Sequence, residues 1–164
     1  MADSRMMIGG TARGAASGRT FDRCDPVSGE VATRAAAASV QDAVAAADAA
    51  AEAAPAWAAM GPTARRGLLN KAADALEAKA ADFVDAMMGE IGATEGWARF
   101  NLMLAASMVR EAAALTTQIG GEVIPSDKPG CMAMAVREPV GVILGIAPWN
   151  APIILGVRMN GVVE

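Results

Sequence analysis

The sequence predicts an α/β protein in which short strands come first, helices fill the middle, and a strand of a parallel sheet follows. Three observations support this prediction. Residues 142–146 form an apolar, mostly branched run without alternation, which is typical of a strand buried on both faces. Alanine-rich segments with apolar residues at helical spacing occupy much of residues 35–119. Short extended segments precede them.

The N-terminal part contains three short extended segments, residues 6–8, 20–24 and 31–35. Glycines and the Asp25-Pro26 pair separate these segments, and such residues favour turns. We therefore predict an N-terminal meander or hairpin.

The first helix is predicted within residues 35–54. Low complexity is the alternative for this stretch, but alanine is the best helix former and acidic residues are spaced along it. Ser39, with Asp42 three positions later, resembles a capping box that opens the helix. Pro55 predicts its end.

Three more helices follow in the pattern. Thr63 is predicted to cap the second, which carries an apolar face at helical spacing. The third covers residues 80–88 and ends near two glycines. The fourth opens at Thr94 and Glu95 and runs to about residue 119, where the pair Gly120-Gly121 closes it.

The pattern becomes extended after the fourth helix. Residues 123–124 and 131–137 are predicted strands on either side of a turn, and the second alternates as in a half-buried strand. After the strand over residues 142–146, Pro148 cannot donate to a ladder and predicts its end. A helix is predicted to begin at Pro152 or Ile153. The crevice beyond such a strand end is where open α/β sheets bind ligands.

A specific order of residues surrounds that crevice. Glu138-Pro139 precedes Gly141-Val142, and after the predicted strand comes Pro148-Trp149-Asn150-Ala151-Pro152. This order resembles the aldehyde dehydrogenase superfamily, whose pattern is Glu-Pro-x-Gly-Val, a strand, and Pro-Trp-Asn-x-Pro. The resemblance covers nearly the whole chain up to Arg158, and residues 119–158 resemble members that act on aromatic aldehydes, such as salicylaldehyde dehydrogenases. Other parts of the chain also resemble the family in residue type, namely Ile8-Gly9-Gly10, Asp25-Pro26, Gly29-Glu30, Gly120-Gly121 and Pro125.

The resemblance implies the N-terminal part of the aldehyde dehydrogenase fold, incomplete as given. Residues 1–121 would be the N-terminal part of the cofactor-binding domain. Residues 122–140 would be a protruding hairpin that joins the sheet of a neighbouring subunit, which predicts a homo-oligomer, either a dimer or a tetramer. Residues 141–164 would be the first strand, turn and helix of a Rossmann-like sheet, cut short, because the residues after Arg158 depart from the family pattern.

The implied activity is the NAD(P)-dependent oxidation of an aldehyde, such as an aromatic aldehyde, to its carboxylic acid through a thiohemiacetal and a thioester. Asn150 matches the asparagine whose amide donates to the thiohemiacetal oxygen, which makes it the predicted catalytic residue. A cap on the following helix is the alternative for this residue. The open alternative for the whole chain is a non-catalytic binding or assembly module derived from such an enzyme.

The resemblance also implies the cofactor contacts. Ile146, Ala147, Pro148 and Trp149 match the segment that lines the nicotinamide site, although core packing also accounts for Ile146 and Trp149. The family residues that contact the adenosine ribose have no match in this chain. The sequence therefore predicts NAD or NADP without a choice between them.

Three residues are predicted to bind the substrate. Arg158 follows Asn150 by about two helical turns, so it would point to the same side and donate to a phenolic or carboxylate substituent. Trp97 and Asn101 lie one turn apart on the fourth helix, which borders the substrate tunnel in the family. Packing of Trp97 in the core and an interface ion pair for Arg158 remain open.

Neither cysteine is assigned as the nucleophile. Cys24 and Cys131 lack glycine-rich, Gln-x-Cys surroundings and a basic partner that would lower the pKa. The chain has no histidine, and no metal site is predicted. We therefore expect the chain by itself to be inactive, as an N-terminal piece of the enzyme.

The composition excludes several partners. The net charge is −4, with 14 basic and 18 acidic residues mixed along the chain, which gives no electrostatic case for nucleic acid. No window approaches the roughly 20 consecutive apolar residues that a membrane helix needs. The N-terminus lacks the apolar core of a signal peptide, and two distant cysteines fit a reducing compartment. These features predict a cytoplasmic protein.

Overall fold

A computed structural model describes residues 2–161 of the chain. Strands come first, helices follow, and a small hairpin precedes the last helix. The elements in chain order are β1 (Ala2–Ser4), β2 (Met6–Ile8), β3 (Thr11–Arg13), β4 (Thr20–Cys24), β5 (Val31–Ala36), α1 (Val40–Ala58), α2 (Pro62–Ala78), α3 (Ala80–Ile91), α4 (Glu95–Leu115), β6 (Glu122–Ile124), β7 (Ala133–Ala135) and α5 (Pro152–Gly161).

The N-terminal strands form two small sheets. In the first, β5 lies between β1, which is parallel to it, and β4, which is antiparallel. The ladder of β4 and β5 shifts register between Arg23 and Cys24. In the second, β2 and β3 form a hairpin. The strands predicted over residues 6–8, 20–24 and 31–35 are confirmed. The strands β1 and β3 were not predicted, because their residues, Ala2–Ser4 and Thr11–Arg13, include no branched apolar side chain.

The capping box of α1 is confirmed. The N–H of Asp42 donates to Ser39 Oγ at 3.3 Å, and the N–H of Ser39 donates to Asp42 Oδ2 at 2.8 Å. The same carboxylate accepts the N–H of Ala16 at 3.0 Å, which ties the turn before β4 to the start of the helix. The predicted end before Pro55 is wrong, because α1 continues through it and one more turn closes with the N–H of Ala59 on the Pro55 carbonyl.

The carboxyl of Asp42 makes the stability of this corner depend on pH. Its pKa is lowered by the N–H and hydroxyl of Ser39 and then by the N–H of Ala16. A carboxyl with a lower pKa in the folded chain stabilises it above the unfolded value, about 3.9, and loses that contribution as the pH falls through the folded value. We expect Asp42→Ala to lower the urea midpoint at neutral pH, and its effect to shrink as the pH falls below the unfolded value towards the lowered pKa of the folded chain.

The exposed Asp48 of α1 provides the control for this prediction. Asp48→Ala should leave the urea midpoint nearly unchanged at both pH values. An Asp42→Ala effect of equal size at neutral and acidic pH would contradict the role of the ionised carboxyl.

The starts of α2 and α4 have different origins. The predicted cap at Thr63 is wrong, because α2 begins one residue earlier at Pro62, whose fixed φ suits the first helical position, with Gly61 as the cap residue. The predicted cap at Thr94 is confirmed, since its Oγ1 accepts the N–H of Trp97 at 3.3 Å.

The ends of α3 and α4 also differ from each other. Gly92 ends α3 in the left-handed conformation, with φ of 65°. The helix α4 ends at Leu115, four residues before the predicted end. Arg66 of α2 accounts for this, because its guanidinium donates to the carbonyls of Ala113 at 3.1 Å and Ala114 at 3.0 Å and so satisfies the last turn.

The core lies where α4 packs against α2, α3 and α5. Leu102 of α4 joins Val84 and Met87 of α3 and Ile153 of α5 in one buried cluster. Small side chains on the same helix allow the neighbouring helices to approach closely; the buried alanines of α4 are Ala98, Ala105, Ala106, Ala112 and Ala113. This packing fixes the start of α5 against α3 and α4.

The segment between the hairpin and α5 departs from the prediction. The strands β6 and β7 pair as expected, but β7 is shorter than the predicted residues 131–137. The strand predicted over residues 142–146 is not formed, and Leu144 is 84% exposed. A strand needs a hydrogen-bonded neighbour, and within residues 2–161 this segment has none. Within the same range, no helix is long and apolar enough to cross a bilayer.

Candidate functional site

Asn150 lies at the junction between the unpaired segment and α5. Ala151, Ile153 and Ile154 are buried and anchor the first turn of the helix, whereas Asn150 is exposed. The first turn closes with the N–H of Leu155 on the Ala151 carbonyl. In the part of the chain that the structure describes, the Asn150 side chain makes no hydrogen bond. The helix-cap alternative thus gains no support, and the amide is free to donate.

Trp97 of α4 reaches the same junction. Its indole N–H donates to the backbone carbonyl of Asn150, with 3.4 Å between the two atoms. The ring stacks on Phe100, with centroids 5.6 Å apart and an angle of 24° between the planes. Both rings remain about two-fifths exposed, at 42% and 43%. An aromatic wall therefore stands beside the predicted catalytic amide.

Asn101 lies behind this wall. Its side chain is fully buried, and its Nδ2 donates to the Trp97 carbonyl at 3.3 Å. Its Oδ1 has no hydrogen-bond partner in the described residues. In this structure Asn101 supports the turn of α4 that carries Trp97, and its contact with a substrate remains a prediction.

Trp149, the sequence neighbour of Asn150, is held by a contact with β4. The guanidinium carbon of Arg23 in β4 lies 3.5 Å from the centroid of the Trp149 ring. The Nε of Arg23 lies 3.2 Å from Glu90 Oε2 on α3. Trp149 also borders an apolar cavity of about 210 Å³, which is lined by Phe83, Ala86, Met87, Glu90, Ile91, Trp149, Pro152 and Ile153.

The remaining predicted site residues lie on the surface. Ile146, Ala147 and Pro148 are exposed in the segment without strand or helix, and Ile146 is 74% exposed. Arg158 is exposed in the last turn of α5. Their contacts with cofactor and substrate remain predictions. Cys24 and Cys131 are both free and exposed.

The structure thus brings Trp97 to Asn150, although the two residues are distant in the sequence. Phe100 and Arg23 belong to the same site, and the sequence reasoning missed both. Phe100 follows Trp97 by three positions on α4, so helical spacing could have indicated it. Arg23 carries no local signal, because its contact with Trp149 joins two residues that are far apart in the sequence. Chemically, the site presents an amide donor that is unpaired within the described residues, on a residue whose backbone carbonyl accepts the Trp97 indole N–H.

The comparison with protein families gives one match over most of the chain. The model described as the aldehyde dehydrogenase family matches residues 13–162. This range includes every predicted site residue.

Individual relatives agree with this match. The chain is 56% identical over 158 residues to vanillin dehydrogenase of Pseudomonas fluorescens, which covers 96% of the chain and 33% of the relative. A crystal structure of salicylaldehyde dehydrogenase from Pseudomonas putida G7, complexed with salicylaldehyde, superposes with a TM-score of 0.94 at 44% identity, over 97% of this chain and 33% of that one. The crystal structure of an NAD-dependent benzaldehyde dehydrogenase from Corynebacterium glutamicum superposes with a TM-score of 0.89 at 30% identity, over 94% of this chain and 34% of that one.

The chain therefore spans about a third of the length of the relatives that it matches. The predicted fold class is confirmed, as an incomplete part of the fold of these structures. The missing ladder of residues 142–146 is the difference from the prediction that lies next to the candidate site.

Proposed function

This chain belongs to the aldehyde dehydrogenase family, and we propose that the protein that carries it oxidises aromatic aldehydes to carboxylic acids with NAD or NADP. The observation that supports this most is the exposed, unpaired amide of Asn150 beside the indole ring of Trp97. Relatives named for vanillin and salicylaldehyde favour an aromatic substrate.

Asn150 would act on the oxygen of the substrate. Attack on the aldehyde carbon by a thiolate places negative charge on this oxygen, and an amide N–H that already points to it stabilises the charge without titrating. The backbone of Asn150 is held through its carbonyl by the Trp97 indole, which leaves the side-chain amide for the substrate. The loop and α4 thus position the donor before the substrate arrives.

Residues 146–149 would hold the nicotinamide end of the cofactor. Their backbone C=O groups, and the N–H groups of all but Pro148, are unpaired within the described residues. Ile146 and Trp149 present apolar surface. Apolar contact together with free backbone groups fits a planar ring that carries a carboxamide. When bound, the cofactor accepts the hydride of the aldehyde.

The activity can be tested in a chimera. Residues 1–158 of this chain would replace the corresponding part of the Pseudomonas fluorescens relative, which is 56% identical over the matched range. We expect NADH or NADPH formation with vanillin and salicylaldehyde, at a higher kcat/KM than with hexanal. A chimera that folds and binds the cofactor but prefers hexanal would contradict the aromatic substrate.

Arg158 is proposed to donate a hydrogen bond to the substituent of the aromatic ring. A charge-assisted hydrogen bond contributes about 1.5–3 kcal/mol, so Arg158→Ala should lower kcat/KM for salicylaldehyde about 10- to 100-fold relative to benzaldehyde. Arg99→Ala is the control, because Arg99 is exposed and paired with Glu95 on α4. An unchanged ratio of the two kcat/KM values would show that Arg158 does not bind the substituent.

The hairpin of β6 and β7 is proposed to join a second copy of the protein. Its apolar side chains are unusually exposed, with Val123 at 72%, Met134 at 61% and Val136 at 68%. Exposed apolar strands of this kind mark interaction sites. We expect the double substitution Val123→Lys and Met134→Lys to reduce the mass of the chimera to that of a monomer in light scattering, whereas an unchanged oligomer would exclude this contact.

A further inference from the structure

Arg23 connects three elements at the junction that carries Asn150. Its guanidinium lies over the Trp149 ring at 3.5 Å, well inside the roughly 6 Å within which a cation and an aromatic face attract. The other side of the same group faces Glu90 of α3, with 3.2 Å from Nε to Oε2. The guanidinium is therefore shared between an aromatic face and a carboxylate.

The pair of Arg23 and Glu90 is partly withdrawn from solvent. The exposed fractions of the two side chains are 26% and 16%. Nε of Arg23 is buried and lacks hydrogen-bond geometry towards any described residue, so the contact with Glu90 is an ion pair. Salt screens partly buried pairs less than exposed ones. Glu90 thus keeps the guanidinium over the ring.

The loop has few other restraints. Residues 139–150 form neither strand nor helix. The hydrogen bond that restrains them within residues 2–161 runs from the Trp97 indole to the Asn150 carbonyl. At 3.4 Å this bond is long. The direction of residues 149 and 150 therefore depends on two side-chain contacts, one from α4 and one from β4, together with the buried first turn of α5.

We infer that Arg23, held by Glu90, is a positioning residue that fixes the Trp149 ring and thereby the direction in which Asn150 presents its amide. This inference rests on the proposed function, because Asn150 is the group whose placement it explains. Arg23 itself acts only through Trp149. Its loss should therefore affect the chemical step more than the binding of the aldehyde.

The test uses the chimera with fluorotryptophan in place of tryptophan. The Trp149 fluorine resonance is assigned by its disappearance in Trp149→Phe. We expect Arg23→Met to shift this resonance and to lower kcat about three- to tenfold, with the KM for the aldehyde unchanged. Glu90→Gln should change both quantities in the same direction but less. Arg34→Met is the matched control, because Arg34 pairs with Asp22 in the same sheet without an aromatic partner.

The outcomes separate this inference from the proposed function. A Trp149 resonance that does not move in Arg23→Met overturns the inference, and so does a resonance that moves while kcat is unchanged. If Arg23→Met does not fold, Arg23→Lys keeps the charge but loses the planar stacking, and is expected to shift the resonance by a smaller amount. A chimera without activity overturns the proposed function, and the resonance then decides alone whether Arg23 fixes Trp149.

Discussion

Asn150→Ala is expected to lower kcat of the active chimera about 100- to 1000-fold, with little change in the KM for the aldehyde. The reason is that the lost amide N–H stabilises charge that develops only in the transition state, and removal of one such donor costs about 3–4 kcal/mol in other enzymes. The measurement is steady-state NADH formation with vanillin. The small effect expected on KM follows because the ground-state aldehyde carries no full charge.

Asn70→Ala provides the control for this substitution, since Asn70 is exposed on α2 and carries the same side chain. It should retain the kcat of the unsubstituted chimera. A loss below tenfold in Asn150→Ala would exclude the oxyanion role. If Asn150→Ala also lowers the melting temperature and Asn70→Ala does not, the side chain of Asn150 stabilises the loop.

Gly92→Ala is expected to lower the free energy of unfolding by about 2 kcal/mol or more, because two costs coincide. The residue adopts φ of 65°, which side chains with a Cβ rarely adopt, and a Cβ would lie 3.0 Å from Cγ of Pro26. The position closes α3 against the turn that precedes β5. Urea unfolding of the chain measures the change.

Gly89→Ala is the matched substitution in the same helix, and it should act in the opposite direction. Gly89 lies inside α3, and a Cβ there would meet Ala32 Cβ at an ordinary 3.9 Å. Alanine in a helix interior stabilises by up to about 1 kcal/mol relative to glycine. If both substitutions lower the urea midpoint equally, the conformation of Gly92 is not the cause of its effect.

Local rules predicted the fold well where a few neighbouring residues decide it. Ser39 and Asp42 lie within one helical turn, and their capping box is present. The start of α5 at Pro152 follows from a fixed φ. The same rules failed where a distant residue decides. Arg66 ends α4 from a neighbouring helix. The end predicted before Pro55 failed for a local reason, because the helix-forming alanines around Pro55 carry α1 through it.

The site was predictable as a motif and not as an arrangement. Trp149 and Asn150 were recognised from their neighbours in sequence, and Trp97 from its helix. The hydrogen bond between Trp97 and Asn150 joins residues 53 positions apart, and the helical and strand periodicities of the sequence do not predict such a contact. Residues 142–146 do not form a strand within residues 2–161, because a strand needs a second strand beside it with which to form hydrogen bonds.

The contacts around Trp149 also have an order in time. Proteins are synthesised from the N-terminus, so β4, α3 and α4 are synthesised before residue 149 is added. Arg23, Glu90 and Trp97, which contact or support the loop, are therefore already in the chain before the loop is synthesised. The last of the partners to be made is the segment that carries Asn150, which arrives at a surface whose cation, carboxylate and indole donor are already in the chain.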